Sequence, residues 1–415
     1  MPKFGDVAIL MSNKMNDINI LNRTEISNFD SLAMVQTSST FSETVIAYLD
    51  ELSKVLFKDL STRKYPDVST FAFYCRKGNL LDLQKKYGQS NEVRLGRGLI
   101  FHVAPSNVPV NFAYSLLAGL LSGNSNVIRL PSKEFEQIEI IINAINTLAE
   151  KECYKDVANR IVLIRYDTHD DSITRKLSSM CAVRIIWGGD ETIRKIRNYE
   201  LSPRSFDLTF ADRYSICVIH AENFMNDPNT DTIISGFYND TYLFDQNACT
   251  SPHLIVWLGS KKTVQRAQDL FWNEVLKLVR EKYKLQTIQS VDKITTFYSQ
   301  AVGMTGINLS KTEDNLLWRV KLDALEENIE KFRCNSGYFS EYHAASLNEL
   351  VSIINPKYQT LSYYGVPKKE LVEFISSERP NGIDRIVPIG KTTDFSLIWD
   401  GYDLINTLSR AVQLV

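Results

Sequence analysis

From residue 96 onward, short apolar runs alternate with stretches in which apolar residues recur at helical spacing. The spacing predicts a helix over 110–121 and another opened by Ser132, with Glu134 and Glu136 in its first turn. Strands alternating with helices predict an α/β fold with a parallel, doubly wound sheet, the usual scaffold for a nucleotide. The predicted strands are Leu99–Val103, Asn126–Leu130, Ile161–Arg165, Val183–Trp187 and Ile216–His220, and a further buried strand is predicted at Leu254–Leu258.

Two other amphipathic helices follow from the same spacing. Ser42 can cap a helix whose apolar positions between Val45 and Leu56 share one face, and a longer helix is predicted from about Thr263 to Tyr283. The first 95 residues contain no candidate catalytic group. Because the chain has 415 residues, beyond the roughly 250–300 at which one core stops growing, two domains are expected.

Composition and charge argue against several classes of function. The 44% hydrophobic and 23% charged residues are typical of a globular protein. A net charge of −2 and a pI near 6.3 give no sign of binding to nucleic acid or to anionic membranes. The six cysteines are far apart and lack metal-ligand spacing, and no signal peptide is evident. These features predict a cytoplasmic protein without a metal site.

The segment from Gly98 to Ile128 carries no formally charged residue and is long enough to suggest a membrane helix. It contains Pro105, Pro109 and several asparagines and glycines, which would leave polar groups unpaired in lipid. We therefore expect it to form protein interior that lines a site, with no membrane span.

One cysteine lies in a polar stretch, residues 244–253 (FDQNACTSPH), that shows no helical or strand period. Cys249 on such a loop, directly before a buried strand, is placed to react. The alternative is a buried cysteine that acts as a small hydrophobe, and the local sequence favours the two about equally. His253 could activate the thiol as in a Cys–His pair, although a hydrogen-bonded structural histidine is more common at the start of an apolar strand.

Two glycine-containing turns bear on nucleotide binding. Gly96-Arg97-Gly98 precedes a strand and lacks the last glycine of a G-x-G-x-x-G fingerprint, so any dinucleotide binds without that phosphate loop. Gly188 and Gly189 follow a predicted strand and precede acidic residues of a helix. Such glycines let the backbone approach a flat ligand, although a simple strand-to-helix turn explains them equally well.

Several characteristic blocks follow one another along the chain: Val103–Pro109, Gly119–Asn124, Val127–Ser132, Trp187–Gly189, Asp245–Pro252, Asp384–Gly390 and Trp399–Gly401. Together these blocks resemble the bacterial luminescence-type long-chain fatty acyl-CoA reductases, a divergent branch of the aldehyde dehydrogenase superfamily. The resemblance extends from about Gly96 to the C-terminus, and it implies an aldehyde dehydrogenase-like fold. It implies a cofactor-binding domain over residues 1–225, completed by 386–415, and an α/β catalytic domain over 226–385.

The resemblance also implies roles for individual residues. Cys249 matches the nucleophile that takes the acyl group as a thioester, and Asn107 matches the asparagine whose amide stabilises the oxyanion with the cysteine backbone N–H. From spacing alone, Asn107 could equally be a loop-capping residue between two prolines. Gly188 and Gly189 match the turn that packs against the cofactor near its nicotinamide.

The cofactor expected from the resemblance is NADPH. Arg129 occupies the place of a ribose-binding lysine, and Ser132 and Lys133 follow Pro131 where the superfamily often has a glutamate. Loss of that carboxylate suits a 2′-phosphate beside Arg129, Ser132 and Lys133. Taken alone, Lys133 is more simply a solvated charge at the start of a helix.

The stretch comparable to the superfamily's general-base block has no glutamate, although it contains Asp207 and Asp212. Without a base that activates water, a cysteine thioester should survive until hydride or another thiol reaches it. The expected function is therefore reduction of an acyl thioester, acyl-CoA or acyl-carrier, to an aldehyde with NADPH.

The same resemblance leaves two other readings open: an acyl-accepting subunit that works with an acyl-protein synthetase, or a non-catalytic interaction protein that retains the fold. It also implies a homo-oligomer.

Overall fold

The computed structural model describes residues 18–25, 28–88, 92–167 and 169–413. Its strands, in chain order, are β1 (Asn19–Ile20), β2 (Val93–Gly96), β3 (Leu99–Val103), β4 (Ser125–Arg129), β5 (Ile161–Arg165), β6 (Val183–Trp187), β7 (Phe206–Phe210), β8 (Tyr214–His220), β9 (Pro252–Leu258), β10 (Ile307–Lys311), β11 (Trp318–Leu322), β12 (Tyr338–Ala344), β13 (Tyr358–Tyr364), β14 (Arg385–Pro388), β15 (Ile398–Trp399), β16 (Tyr402–Asp403) and β17 (Ser409–Val412).

The helices are α1 (Phe29–Ala33), α2 (Glu43–Lys58), α3 (Pro66–Tyr74), α4 (Lys77–Tyr87), α5 (Asn111–Leu121), α6 (Glu136–Ala149), α7 (Lys155–Ala158), α8 (Asp171–Met180), α9 (Asp190–Arg197), α10 (Ala221–Met225), α11 (Thr230–Asp240), α12 (Lys261–Lys282), α13 (Thr287–Gly303), α14 (Lys368–Glu378) and α15 (Leu404–Leu408). Short 3-10 helices connect several of them. No helix in the described ranges is long and apolar enough to cross a membrane.

The first compact unit contains the described residues up to Ala211 and those from Tyr402 onward. Its main sheet has the strand order β1-β5-β4-β3-β6-β7, and all neighbours are parallel except β1 with β5. From β3 the chain builds outward through β4 and β5, and then returns to the other side of β3 with β6 and β7. The direction of winding therefore reverses between β3 and β6, which is the doubly wound arrangement predicted from the sequence.

Buried apolar residues explain the regularity of these strands. Leu99, Phe101 and Val103 on β3 pack with Val127 of β4 and Ile164 of β5 in one core cluster. The uncharged segment 98–128 forms β3, α5 and β4, and it lies mostly in the interior as expected. Helix α2 places its predicted apolar face, including Tyr48, Leu49 and Leu52, in the core.

One helix start in this unit differs from the prediction. Helix α6 begins at Glu136 with Phe135 as its N-cap, so Ser132 does not open it. Phe135 has extended backbone angles (φ −138°, ψ 132°), which keeps the preceding residues out of the helix. Ser132, Lys133 and Glu134 therefore lie on an exposed loop.

The second compact unit, Asp212–Gly401, contains a sheet of order β10-β11-β12-β9-β8-β13-β14. The strands are parallel except for the antiparallel β10–β11 pair. Both faces are covered, because Leu254, Val256 and Leu258 of β9 enter one core cluster while Ile255 and Trp257 enter another. Burial on both faces accounts for the uninterrupted apolar run at 254–258.

The observed units divide the chain at different points from the expected domains. Strand β8, which includes the predicted strand Ile216–His220, pairs with β9 and β13 in the second sheet and not with the first. Strand β14 likewise pairs with β13, so the tail joins the first unit only from Tyr402. The assignment of cofactor binding and catalysis to the two units stays a prediction.

Candidate functional site

The predicted cofactor residues all lie at the carboxyl edge of the first sheet. Carboxyl ends of parallel strands share one edge, and ligands of open α/β sheets bind there where the winding reverses. The loop with Asn107 follows β3, Arg129 ends β4, and Gly188 and Gly189 follow β6. The strand order therefore brings these residues to one edge of this unit.

Asn107 lies on the loop between β3 and α5 and is exposed. In the described part of the chain its side-chain amide makes no hydrogen bond, so it caps no neighbouring backbone group. This disfavours the loop-capping interpretation and leaves the amide free to donate to a ligand.

The Arg129 guanidinium is half-buried, and its central carbon lies 5.1 Å from the centre of the Tyr166 ring. Within the described ranges, no carboxylate forms an ion pair with Arg129. Lys133 is exposed and lies over the Phe135 ring at 4.8 Å, and Ser132 is also exposed. Two cations and a hydroxyl at the end of β4 and on the loop that follows it fit an anionic group such as a nucleotide 2′-phosphate.

Arg165, at the carboxyl end of β5, is a neighbour that sequence reasoning missed. Its Nε donates to the carbonyl oxygen of Pro131 at 3.1 Å and so fixes the loop that carries Ser132 and Lys133. An arginine directly after an apolar strand run is the signal that could have indicated this position, because β4 and β5 are adjacent and parallel.

The two glycines after β6 have different surroundings. A Cβ at Gly188 would meet the Thr192 side chain at 3.2 Å, so the close packing there is with its own helix. A Cβ at Gly189 would have nothing within 4 Å, and Gly189 is the N-cap of α9. The predicted strand–turn–helix is confirmed, and open space at Gly189 fits the approach of a flat ligand.

Cys249 lies at the amino edge of the second sheet, on the loop that leads into β9. Since β8, β9, β12 and β13 are parallel, their first residues meet at this edge. Ser215 of β8 donates its hydroxyl to the carbonyl oxygen of Cys249 at 2.7 Å, and the backbone N–H of Thr360 on β13 donates to the same hydroxyl at 3.3 Å. The backbone N–H of Cys249 has no hydrogen-bond partner in the described ranges.

Gln246 anchors this loop. Its side chain is 1% exposed, and its Nε2 donates to the carbonyl oxygens of Pro252 (2.9 Å) and Tyr338 (3.2 Å). Its Oε1 accepts from the backbone N–H groups of Gly337 (3.0 Å) and Tyr338 (3.3 Å). Asp245 and Gln246 both have positive φ, 52° and 59°, a conformation that is uncommon outside glycine. The loop is therefore a fixed structure.

Among the cysteines, Cys249 is half-buried, Cys153 is exposed and the other four are buried. Burial raises the pKa of the Cys181 and Cys217 thiols to about 12, as suits cysteines that pack in the interior. Burial, with a contribution from the Asp400 carboxylate, also raises the pKa of Cys249 to about 12, while a hydrogen bond from Gln359 lowers it. In the free protein the Cys249 thiol is therefore protonated, and reaction requires a proton acceptor.

His253 has the structural role that its place at a strand start favoured. It is 4% exposed, its Nδ1 lies 3.1 Å from the carbonyl oxygen of Cys334, and it stacks on the Tyr214 ring. Burial lowers the pKa of His253 to about 3, so the ring is neutral at physiological pH. We assign it no catalytic function.

The two aspartates of the base-block stretch are paired with arginines. Asp207 accepts from Arg184 Nε at 2.6 Å in the first unit, and Arg184 is 1% exposed. Asp212 accepts from Arg333 at 2.6 and 2.7 Å in the second unit. Both carboxylates are thus occupied by guanidinium groups. No cluster of three or more metal-ligating side chains occurs in the described ranges.

A family model described as acyl-CoA reductase (LuxC) matches residues 76–411. The chain belongs to the acyl-CoA reductase (LuxC) family. Its relatives include the long-chain acyl-protein thioester reductases of Aliivibrio fischeri and Vibrio harveyi, each 23% identical over 328 residues. Those alignments cover 77% of this chain and 64% of each relative, so this LuxC-family chain spans slightly less than two thirds of their length.

Solved structures with a similar fold are aldehyde dehydrogenases and related enzymes. Proline utilization A from Corynebacterium freiburgense has a TM-score of 0.64 and 12% identity, covering 95% of this chain and 44% of that one. An NAD-dependent benzaldehyde dehydrogenase from Corynebacterium glutamicum has a TM-score of 0.60 and 13% identity, covering 92% and 86%. The predicted aldehyde dehydrogenase-like fold of this LuxC-family member is confirmed.

Proposed function

We propose that this protein reduces an acyl thioester to an aldehyde with NADPH, through an acyl group held covalently on Cys249. The observation that carries the proposal is the Cys249 loop, on which a half-buried thiol and a free backbone N–H are fixed at the edge of a parallel sheet. Membership of the acyl-CoA reductase family supports the reaction, and the names of the relatives support a thioester substrate.

In the proposed cycle, the Cys249 sulfur attacks the carbonyl carbon of the thioester. The bond from that carbon to the carrier sulfur breaks, the carrier leaves as a thiol, and the acyl group stays on Cys249. The backbone N–H of Cys249 and the amide of Asn107 donate to the oxyanion, and loss of one such donor costs about 10²–10³ in rate. Two-electron reduction with uptake of one proton from solvent gives a hemithioacetal on Cys249. This collapses to aldehyde as its carbon–sulfur bond breaks and its hydroxyl proton passes to the sulfur.

NADPH supplies the hydride when it is bound. Arg129, Ser132 and Lys133 would hold its 2′-phosphate, and the open backbone at Gly189 would border its nicotinamide end. The support for NADPH over NADH is the Arg129 guanidinium, which forms no ion pair with a carboxylate in the described ranges, together with the absence of a carboxylate at positions 132 and 133. A ribose hydroxyl would leave that positive charge without a partner.

The acyl donor distinguishes two forms of the proposal. The family description names acyl-CoA, whereas the relatives are named for acyl-protein substrates. Both donors present the same thioester to Cys249, and both release a thiol. A protein donor would be an acyl-protein synthetase or an acyl carrier.

The test is intact mass spectrometry after incubation with acyl-CoAs of graded chain length, or with an acylated carrier protein, without reductant. We expect an acyl adduct that NADPH removes with release of aldehyde. Cys249→Ala should form no adduct. Cys153→Ser is the matched control, because Cys153 is the exposed cysteine and its loss should leave the adduct intact.

Each outcome bears directly on the proposal. An adduct from the carrier protein but not from any acyl-CoA would identify a protein donor. An adduct that persists in Cys249→Ala, or an acylated Cys249 that NADPH fails to reduce, would refute the proposed cycle.

A further inference from the structure

A carboxylate that the sequence did not single out lies beside Cys249. The side-chain amide of Gln359, at the start of β13, donates to Oδ1 of Asp400 and also hydrogen bonds to the Cys249 thiol. Gln359 is 1% exposed. Because the same amide group interacts with both partners, the Asp400 carboxylate lies in the immediate surroundings of the Cys249 sulfur.

The backbone at Asp400 is unusual. Asp400 has a φ of 48° and Gly401 a φ of 75°, so the carboxylate projects from a left-handed turn. The preceding Trp399 is held by Arg385, whose guanidinium lies 5.0 Å from the indole, and by stacking on Phe395 at 5.6 Å. Left-handed non-glycine residues that the surroundings hold in place concentrate at functional sites.

The other carboxylates near Cys249 or Asp400 are already occupied. Asp212 is paired with Arg333, and Asp384 is paired with Arg213. Within the part of the chain that the structure describes, Asp400 forms no ion pair of this kind, and its Oδ2 makes no hydrogen bond. It is therefore the carboxylate in this neighbourhood that is free to take up a proton.

We propose that Asp400 accepts the proton of Cys249 when the acyl group is captured, and that Gln359 is the positioning residue that holds the two together. This inference rests on the proposed function, because it assigns the proton acceptor for acyl capture by Cys249. It also identifies a base outside the stretch where the superfamily's glutamate would lie.

The proton balance of this step is closed. As the bond from sulfur to the carbonyl carbon forms, the proton of the thiol passes to Oδ2 of Asp400. As the bond from that carbon to the carrier sulfur breaks, the protonated carboxyl returns the proton to the departing thiolate. One thioester and one thiol become another thioester and another thiol, with no net proton released and no oxidant or reductant required.

The charges around the pair suit a proton acceptor that works near neutral pH. Burial is the main cause that raises the pKa of Asp400 to about 6; Asp384 contributes in the same direction, while Arg213, Gln359 and Arg385 oppose it. For Cys249, burial, Asp400 and Asp212 raise the pKa of the thiol, and Gln359 and Arg213 lower it. A carboxylate with a pKa near 6 is mostly ionised at pH 7 and is basic enough to act.

The test measures two reactions of Cys249 in Asp400→Asn, using the full-length protein. Capture of an acyl group from acyl-CoA, followed by rapid quench and intact mass spectrometry, should slow by about 10²–10⁴-fold because it needs a proton acceptor. Alkylation by iodoacetamide at fixed pH should become faster, because removal of the negative charge lowers the pKa of the thiol. Asp400→Glu should recover part of the capture rate.

A purely structural role would slow both reactions or neither. Asp394→Asn is the control for loss of one negative charge, since Asp394 is half-exposed and paired with Lys391. Its capture rate should equal that of the wild type. If Asp400→Asn does not fold, the pH dependence of the wild-type protein is the test: its capture rate should rise with increasing pH, with an apparent pKa near 6.

Failure of this inference can be told apart from failure of the proposed function. If wild type forms no Cys249 adduct with any donor, the proposed function fails. If wild type forms the adduct and Asp400→Asn forms it at the same rate, or if the wild-type capture rate is flat between pH 5 and 8, the assignment of Asp400 is overturned.

Discussion

Gln246 holds the Cys249 loop in place, and its removal gives a sharp test of how that loop is built. Its amide makes four hydrogen bonds to the backbone of β9, β12 and the residue before β12, and the side chain is 1% exposed. Substitution by alanine leaves two N–H groups and two carbonyls without these partners. At about 1–3 kcal/mol for each buried group left unpaired, with part recovered by entering water, we expect a loss of about 3–5 kcal/mol.

Two further substitutions separate the causes. Gln246→Gly removes the same hydrogen bonds but tolerates the φ of 59°, so it should be about 1 kcal/mol less damaging than alanine. Gln246→Glu keeps an acceptor for Gly337 and Tyr338 but places a second oxygen against the carbonyls of Pro252 and Tyr338. It should therefore also destabilise the protein.

Urea unfolding monitored by intrinsic fluorescence gives the free energies, provided that the m-values agree among variants. Gln265→Ala is the control, because this exposed helical glutamine contacts only Asp269 among its side-chain partners, and its loss should change stability by less than about 0.5 kcal/mol. A Gln246→Ala protein within 1 kcal/mol of wild type would refute the reasoning.

Three other measurements test separate features. In the free protein at pH 8, iodoacetamide should modify Cys249 about 10³-fold more slowly than an unperturbed thiol, since a pKa of about 12 replaces one of 9.0; peptide mapping showing Cys249 modified before Cys153 would contradict this. Arg129→Ala should raise KM for NADPH by about 10–100-fold more than KM for NADH, because a charged hydrogen bond contributes about 1.5–3 kcal/mol, and equal changes would exclude a 2′-phosphate contact. The pKa of His253 is lowered to about 3 in the folded protein, so between pH 6.5 and 3 the ring binds a proton only in the unfolded state. The free energy of unfolding therefore decreases as the pH is lowered through this range. Relative to His253→Phe, urea titrations of wild type should show an additional loss of up to about 1.4 kcal/mol per pH unit, and parallel profiles would disprove it.

The elements with strong periodicity could be predicted from the sequence almost to the residue. The strands at 99–103, 161–165 and 183–187 have the predicted bounds, because each is a short apolar run covered on both faces. The start of α6 could not be predicted, since Ser132 followed by acidic residues is a good local cap signal. The extended backbone of Phe135 and the bond from Arg165 to Pro131 decide that start, and both depend on tertiary structure.

The sequence also could not predict to which sheet a strand belongs. Strand β8 has the same apolar character as the strands of the first sheet, and hydrophobic period carries no information about the partner. Its pairing with β9 places Ser215 beside the carbonyl of Cys249, so the misassigned strand is one that supports the candidate nucleophile. The local pattern predicted that the strand exists, and long-range pairing determined which sheet it joins and which loop it supports.

The candidate site divides in the same way. Cys249 and Arg129 were predictable because they lie in short blocks of characteristic sequence, next to strands with clear periodicity. Gln359 and Asp400 were not, because neither local sequence indicates that the two side chains meet near residue 249. Their connection depends on the amino end of β13 and on a left-handed turn, which bring together residues that are 41 positions apart. A thiol whose pKa is raised by its surroundings needs a proton acceptor in order to react. The sequence near residues 207–215 contains no glutamate in the place of the superfamily's base, so that stretch alone does not indicate the carboxylate at position 400.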